Sequence, residues 1–85
     1  MNKNWSDEAW DDYEYWQKQD RRTVSKINKL IKDIERNGVS KGEGKPERLK
    51  YAKAWSRRIN EEDRLVYDIA DNRLCIYSCK GHYEK

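Results

Sequence analysis

Arg64-Leu65-Val66-Tyr67-Asp68-Ile69 decides the fold. Leu65, Tyr67 and Ile69 alternate with Arg64, Val66 and Asp68, which is the two-residue period of a strand with one apolar face. Asn60-Glu61-Glu62-Asp63 before it and Asp71-Asn72 after it read as turns. The neighbouring stretches, Ala54 to Ile59 and Arg73 to Lys80, are also strand-like, and turns this short make consecutive strands antiparallel. A further strand-like piece, Glu47 to Lys50, follows Pro46. The Leu65 face needs a cover. The opposite face stays partly open, and Arg64 projects from it.

The cover comes from the N-terminal half. A short strand is expected around Lys3 to Trp5. Ser6 is a helix N-cap, with acids in the turn that follows it. Ala9, Trp10, Tyr13 and Trp16 then fall at helical spacing. Asp20 caps a second helix in which Val24, Ile27, Leu30, Ile31 and Ile34 recur every three or four residues, and Asn37-Gly38 ends it. These stripes read as core. Gly38 to Pro46 is a glycine-bearing, lysine-rich loop without the spacing of a Walker motif. The expected architecture is α+β: a small antiparallel sheet with two N-terminal helices packed on one face.

Eighty-five residues make one domain, and no internal repeat is visible. A chain this short buries only about 60% of its unfolded surface. Its four Trp and six Tyr compensate, since each aromatic buries on the order of 150–250 Å². Charge is unevenly spread. Met1 to Trp16 holds five acids and one base, whereas Lys41 to Arg58 holds seven bases and two acids. A basic segment of that kind attracts phosphate backbones. Cys75 and Cys79 lie four apart in an expected strand, about 13 Å at ~3.3 Å per residue. That exceeds the roughly 7 Å a disulfide spans. Their spacing matches no zinc pattern, so neither a metal nor another cofactor is expected. Two free thiols suit a reducing cytoplasm. No stretch reads as a signal peptide or a membrane span.

The reactive side chains cluster in the second half, in Gly44-Lys45-Pro46-Glu47, Trp55-Ser56-Arg57-Arg58, Asp63-Arg64 and Gly81-His82-Tyr83. RNA carries its own nucleophile in the 2′-hydroxyl. Cleavage needs a base for that hydroxyl, cations for the phosphorane and an acid for the leaving 5′-oxygen. Glu47 is a candidate base among Lys45, Arg48 and Lys50. His82, the single histidine, is a candidate acid. Arg64 is a candidate phosphate ligand, and Tyr83 a candidate stacking group. Each has a second reading from the residues alone: a paired surface carboxylate, an exposed imidazole, a cross-strand ion pair, packing at the sheet edge. Arg57 and Arg58 point to opposite faces of their strand, so at most one shares a site with Arg64.

With these residues in place the chain resembles the YoeB/Txe-type toxins of the RelE superfamily. The resemblance runs through Trp5-Ser6, Trp10-Asp11-Asp12-Tyr13, Tyr15-Trp16, Lys26 to Asp33, Gly44-Lys45-Pro46-Glu47, Trp55-Ser56-Arg57-Arg58-Ile59, Arg64-Leu65-Val66-Tyr67 and His82-Tyr83. It implies the toxin of a type II toxin–antitoxin pair: a ribosome-dependent endoribonuclease that cleaves translated messages in the ribosomal A site without a metal. It also implies a RelE-like β-α-α-β-β-β order. Catalytic roles would fall on Glu47 as base, Arg64 on the transition state, His82 as acid and Tyr83 as the group orienting substrate. Lys45, Lys50, Arg57 and Arg58 would hold RNA. The implied partners are a cognate antitoxin, the ribosome, messenger RNA and a second copy in a homodimer, with no membrane. Two departures stand out: Arg48 replaces the usual proline after the glutamate, and Asp63 replaces a histidine before Arg64. Two other functions remain open. One is a non-catalytic RNA- or ribosome-binding inhibitor of translation. The other is an interaction subunit using its acidic, tryptophan-rich first helix.

Overall fold

A computed structural model describes residues 1–82. In chain order the elements are β1 (Asn2–Trp5), α1 (Asp7–Gln19), α2 (Arg21–Asn37), β2 (Glu47–Arg48), β3 (Trp55–Arg58), β4 (Arg64–Ala70) and β5 (Arg73–Ser78). The strands form one sheet in the order β1-β5-β4-β3-β2. β2 to β5 make an antiparallel meander, as the short turns require. β1 lies parallel to β5, so the five-stranded sheet is mixed rather than wholly antiparallel. The two helices form the crossover that a parallel neighbour needs.

Capping residues set both corners of that crossover. Ser6 accepts from the Ala9 amide at 3.0 Å, and its hydroxyl donates to the Tyr77 carbonyl at 2.9 Å. One side chain thus starts α1 and ties it to β5. Asp20 ends α1 through its own amide, 2.8 Å from the Trp16 carbonyl. Its carboxylate then caps α2, accepting from the Arg22 amide and the Thr23 hydroxyl at 3.0 Å each. Gly38, at φ 90°, closes α2 in a conformation that side chains disfavour.

The core lies between the helices and the sheet. Ala9, Ile27, Leu30, Ile31 and Ile34 pack on Leu65, Tyr67, Leu74 and Ile76. Each such aliphatic contributes about 1.5–3 kcal/mol on burial. Leu49, Ala54 and Val66 form a smaller cluster on the far face, where the chain between β2 and β3 folds back over the sheet. A bulge at Val66/Tyr67 shifts the β4–β5 register. Among the described residues no helix is long and apolar enough to cross a membrane.

Candidate active site

Strand register and one backbone hydrogen bond bring the distant clusters to one end of the sheet. Directly paired residues share a face. Glu47 stands opposite Ser56, Ser56 opposite Val66, and Val66 opposite Ser78. One row further along β3 and β4, Arg58 stands opposite Arg64. The Arg64 amide donates to the Gly81 carbonyl at 2.9 Å, so the chain enters His82 beside that row. A carboxylate, two guanidiniums and an imidazole therefore come from four segments to the same end of the molecule. Adjacent rows on one face are roughly 7 Å apart, a distance a glutamate and an arginine can bridge around one phosphate. Glu47, Arg58 and His82 are exposed and Arg64 is half-buried. Lys45 and Lys50 are exposed too. Tyr83 lies outside the described residues.

Arg57 is not with them. Its side chain is 0% exposed, because Trp55 and Arg57 share the helix-covered face with their partners Tyr67 and Leu65. Nε donates to the Tyr67 hydroxyl at 2.8 Å, and Nη1 pairs with the Asp33 carboxylate. The remaining donors hold backbone. Nη1 reaches the Glu43 carbonyl at 3.0 Å, and Nη2 reaches the Gly38 and Lys41 carbonyls at 2.8 and 2.6 Å. A guanidinium with every donor engaged in the interior cannot hold RNA, so the expected RNA-binding role of Arg57 is corrected. It organises the loop from Gly38 to Gly44 instead.

The rest of that network follows from the same charge. Asp33 also accepts from the Glu43 amide at 3.0 Å and from the Asn37 side chain at 2.9 Å. The hydrogen bond from Arg57, then that from Glu43, holds its carboxyl below the usual range. The Tyr67 hydroxyl donates to the Val39 carbonyl at 2.7 Å, and burial pushes that phenol up. At Gly42 (φ +121°) a Cβ would sit 1.8 Å from the Asp33 carboxylate. The Arg58 amide donates to the Gly44 carbonyl at 2.6 Å, which delivers Lys45 and Glu47 to the sheet edge.

His82 is delivered differently. The Cys79 amide donates to Asp12 at 2.9 Å, and the Trp16 indole donates to the Cys79 carbonyl at 2.9 Å. Asp63 accepts from the Gly81 amide at 2.8 Å and from the Asn60 side chain at 3.0 Å. The Lys80 ammonium sits 4.7 Å from the Tyr15 ring centre. Side chains from α1 on one side and the β3–β4 turn on the other thus grip the last residues before His82. Burial raises the Asp12 carboxyl despite the Cys79 hydrogen bond. Burial also pushes the Cys79 thiol up to about 12, so it is inert as a nucleophile. Arg64 holds the same turn, with Nη1 donating to the carbonyls of Asn60, Glu61 and Asp63 at 2.8–3.3 Å. Among the described residues no three His, Cys, Asp or Glu side chains gather to hold a metal.

A family model described as the YoeB-like toxin of bacterial type II toxin–antitoxin systems matches residues 5–83. Toxin YoeB of Escherichia coli K12 is 56% identical over 85 residues, 98% of this chain and all of that one. A YoeB dimer from Staphylococcus aureus superposes with a TM-score of 0.93 at 49% identity, over 98% of each chain. The toxin chain of a heterotetrameric YoeB–YefM complex from Staphylococcus aureus gives 0.90 at 50% identity, again over 98% of each chain.

Proposed function

Since the chain belongs to the YoeB-like toxins of bacterial type II toxin–antitoxin systems, we propose that it is an endoribonuclease that cleaves translated messages in the ribosomal A site. The observation that carries this reading is the register that gathers Glu47, Arg58, Arg64 and the entry to His82 at one end of the sheet.

The chemistry needs no metal. Glu47 removes the proton of the 2′-hydroxyl, and the 2′-oxygen attacks the adjacent phosphorus. Arg64 exchanges the loop carbonyls it now holds for phosphate oxygens, and with Arg58 it stabilises the charge of the phosphorane. The bond from phosphorus to the 5′-oxygen breaks, and His82 gives that oxygen its proton. The products are a 2′,3′-cyclic phosphate and a 5′-hydroxyl. Tyr83 orients the substrate, while Lys45 and Lys50 hold flanking phosphates.

The protein works in the cytoplasm. Its partners are the ribosome, messenger RNA and a cognate antitoxin, and it pairs with a second copy as the Staphylococcus aureus relative does. The antitoxin reading follows the relative that assembles with YefM.

The test is Glu47→Gln, assayed by mapping message ends on programmed ribosomes. General acid–base groups contribute typically 10²–10⁴-fold, so cleavage should fall by about that factor. Unchanged cleavage would remove the assignment. Loss of cleavage by the unaltered protein in excess EDTA, with ribosomes kept intact, would remove metal independence. The second reading, a non-catalytic RNA- or ribosome-binding inhibitor, draws on the exposed cations Lys45, Lys50 and Arg58. It predicts that Glu47→Gln still arrests translation while no new message ends appear in either protein.

A further inference from the structure

We propose that Asn60 is a positioning residue for the cleavage, holding Arg64 and the segment that carries His82 in one hydrogen-bonded frame. The assignment rests on the nuclease reading and deepens it: Asn60 acts through Arg64 and His82 rather than on the substrate itself.

Asn60 opens the turn from β3 to β4. Its Oδ1 accepts from the Glu62 and Asp63 amides at 2.7 Å each, so the side chain caps the turn. Two donors on that oxygen fix the orientation of the side-chain amide. Nδ2 therefore faces Asp63 and donates to its Oδ2 at 3.0 Å. The other oxygen of the same carboxylate accepts from the Gly81 amide at 2.8 Å. The Gly81 carbonyl accepts in turn from the Arg64 amide at 2.9 Å. The residue before His82 is thus tied on both of its polar groups. On its other side Asn60 meets the arginine directly: its carbonyl accepts from Arg64 Nη1 at 2.8 Å, the shortest of the three contacts that nitrogen makes with the turn.

Asparagine suits this place because one planar group supplies an acceptor and a donor. Aspartate would cap the turn as well, but it would set an oxygen against the Asp63 carboxylate, and like charges repel. Gly81 has φ 88°, and nothing lies within 4 Å of a Cβ added to it. The glycine therefore serves the backbone bend into His82 rather than close packing. The hydrogen bonds of Asn60 are open to water, and each adds little to stability. Their joint effect is on placement, since the separation of Arg64 and His82 decides how the two meet one phosphate.

The experiment exchanges the two side chains of the link. Asn60→Asp keeps the cap and loses the donor to Asp63. Asp63→Asn keeps an acceptor for Gly81 but sets donor against donor. The two together restore the hydrogen bond with its direction reversed, at the net charge of the parent. Glu62→Gln changes the charge of the same turn and leaves the link intact, because Glu62 enters it only through its amide. Values of kcat and KM are measured on programmed ribosomes. NMR of the ring of His82, the single histidine, reports its placement in the free protein.

Asn60→Asp should lower kcat by about 10- to 100-fold, the loss that follows a misplacement of about 1 Å in a reacting group. KM should stay within about twofold, and the His82 ring signals should move. Asp63→Asn should lose less. The exchanged protein should be faster than either single variant and return the ring signals to their places, a coupling that independent sites do not show. Glu62→Gln should match the parent. Parent-like kcat in Asn60→Asp, a loss expressed in KM, unmoved ring signals, or an exchanged protein no faster than Asn60→Asp would overturn the proposal. So would unfolding of Asn60→Asp, since the bonds are argued to place groups rather than to stabilise the fold. Should the exchanged protein alone fail to fold, Asn60→Asp decides by kcat and ring signals. A failure of the nuclease reading removes cleavage from the parent itself, while the ring signals still test the placement of His82.

Discussion

The two segments that carry Glu47 and His82, the proposed base and acid, are held in opposite ways. The loop leading to Lys45 and Glu47 wraps a buried guanidinium whose partners are one carboxylate, one phenol and three backbone carbonyls. The tail leading to His82 is held by single hydrogen bonds to its backbone, part-buried at Asp12 and Trp16 and exposed at Asp63. Interior charge networks are costly to break by removing one member, because the other charge is left without compensation. Hydrogen bonds near the surface cost less to lose, since water takes the vacant place. The Glu47 side should therefore be rigid and tightly coupled to folding. The His82 side should be adjustable with little effect on the fold.

The largest expected effect is on the interior side. Arg57→Leu strands the Asp33 carboxylate and should destabilise the protein by about 3–5 kcal/mol, read by chemical denaturation. Adding Asp33→Leu to it should recover part of the loss. If the single variant proves as stable as the parent, the distinction between the two sides fails.

Gly42→Ala comes next. Its Cβ would overlap the Asp33 carboxylate, at a φ that side chains rarely adopt. A strained residue costs about 1–3 kcal/mol, and the steric contact adds to it. Cleavage should fall, while the NMR signals of the His82 ring stay in place.

Asp63→Ala should cost only about 1 kcal/mol in stability, but it frees the Gly81 amide next to His82. The expected signature is a lower kcat with little change in KM and displaced His82 ring signals. Asp63→Asn keeps an acceptor for Gly81 and should restore part of the rate.

The smallest effect is one of sign. Asp33 titrates below the usual carboxylate range, so its contribution to stability is complete above that range and is lost as pH falls through its folded value. Asp12 is raised, so folding binds a proton there, and its contribution improves as pH falls toward the ordinary carboxylate value. Relative to Asp12→Asn, the parent should gain stability on acidification from neutral pH, whereas relative to Asp33→Asn it should lose it. Parallel denaturation curves across that range would show that the two carboxylates do not differ in this way.

Much of the fold was legible because it is local. The stripe from Val24 to Ile34, the caps Ser6 and Asp20, and the alternation of Leu65, Tyr67 and Ile69 each state their role within a few residues. The parallel pairing of β1 with β5 was not legible. Asn2 meets Arg73 across nearly the whole chain, and no short-range pattern encodes that. Arg57 was readable only in half. The alternation that sends Leu65 and Tyr67 inward also sends Trp55 and Arg57 inward, given the register. A charge looks misplaced there until Asp33 is seen to meet it from 24 positions away. Asp33 itself carried a faint signal, as a carboxylate between Ile31 and Ile34. Glu47, Arg64 and His82 were candidates by their chemistry, each with a second reading, and the resemblance favoured them as a set; register for Glu47 and Arg64, and the Arg64–Gly81 hydrogen bond for His82, bring their segments to one end of the sheet. The grip of Asp12 and Asp63 on the tail had no signal at all, since it runs from carboxylates to backbone amides.

The guanidinium of Arg57 also acts as a gauge of loop length. One planar group meets carbonyls at Gly38, Lys41 and Glu43, so the spacing between those positions is counted out by a fixed fork of donors. Surface loops ordinarily accept an extra residue. This one, though exposed along most of its outer side, should reject insertion or deletion as a helix interior would, and a lysine at the same point would have too few donors to keep the count.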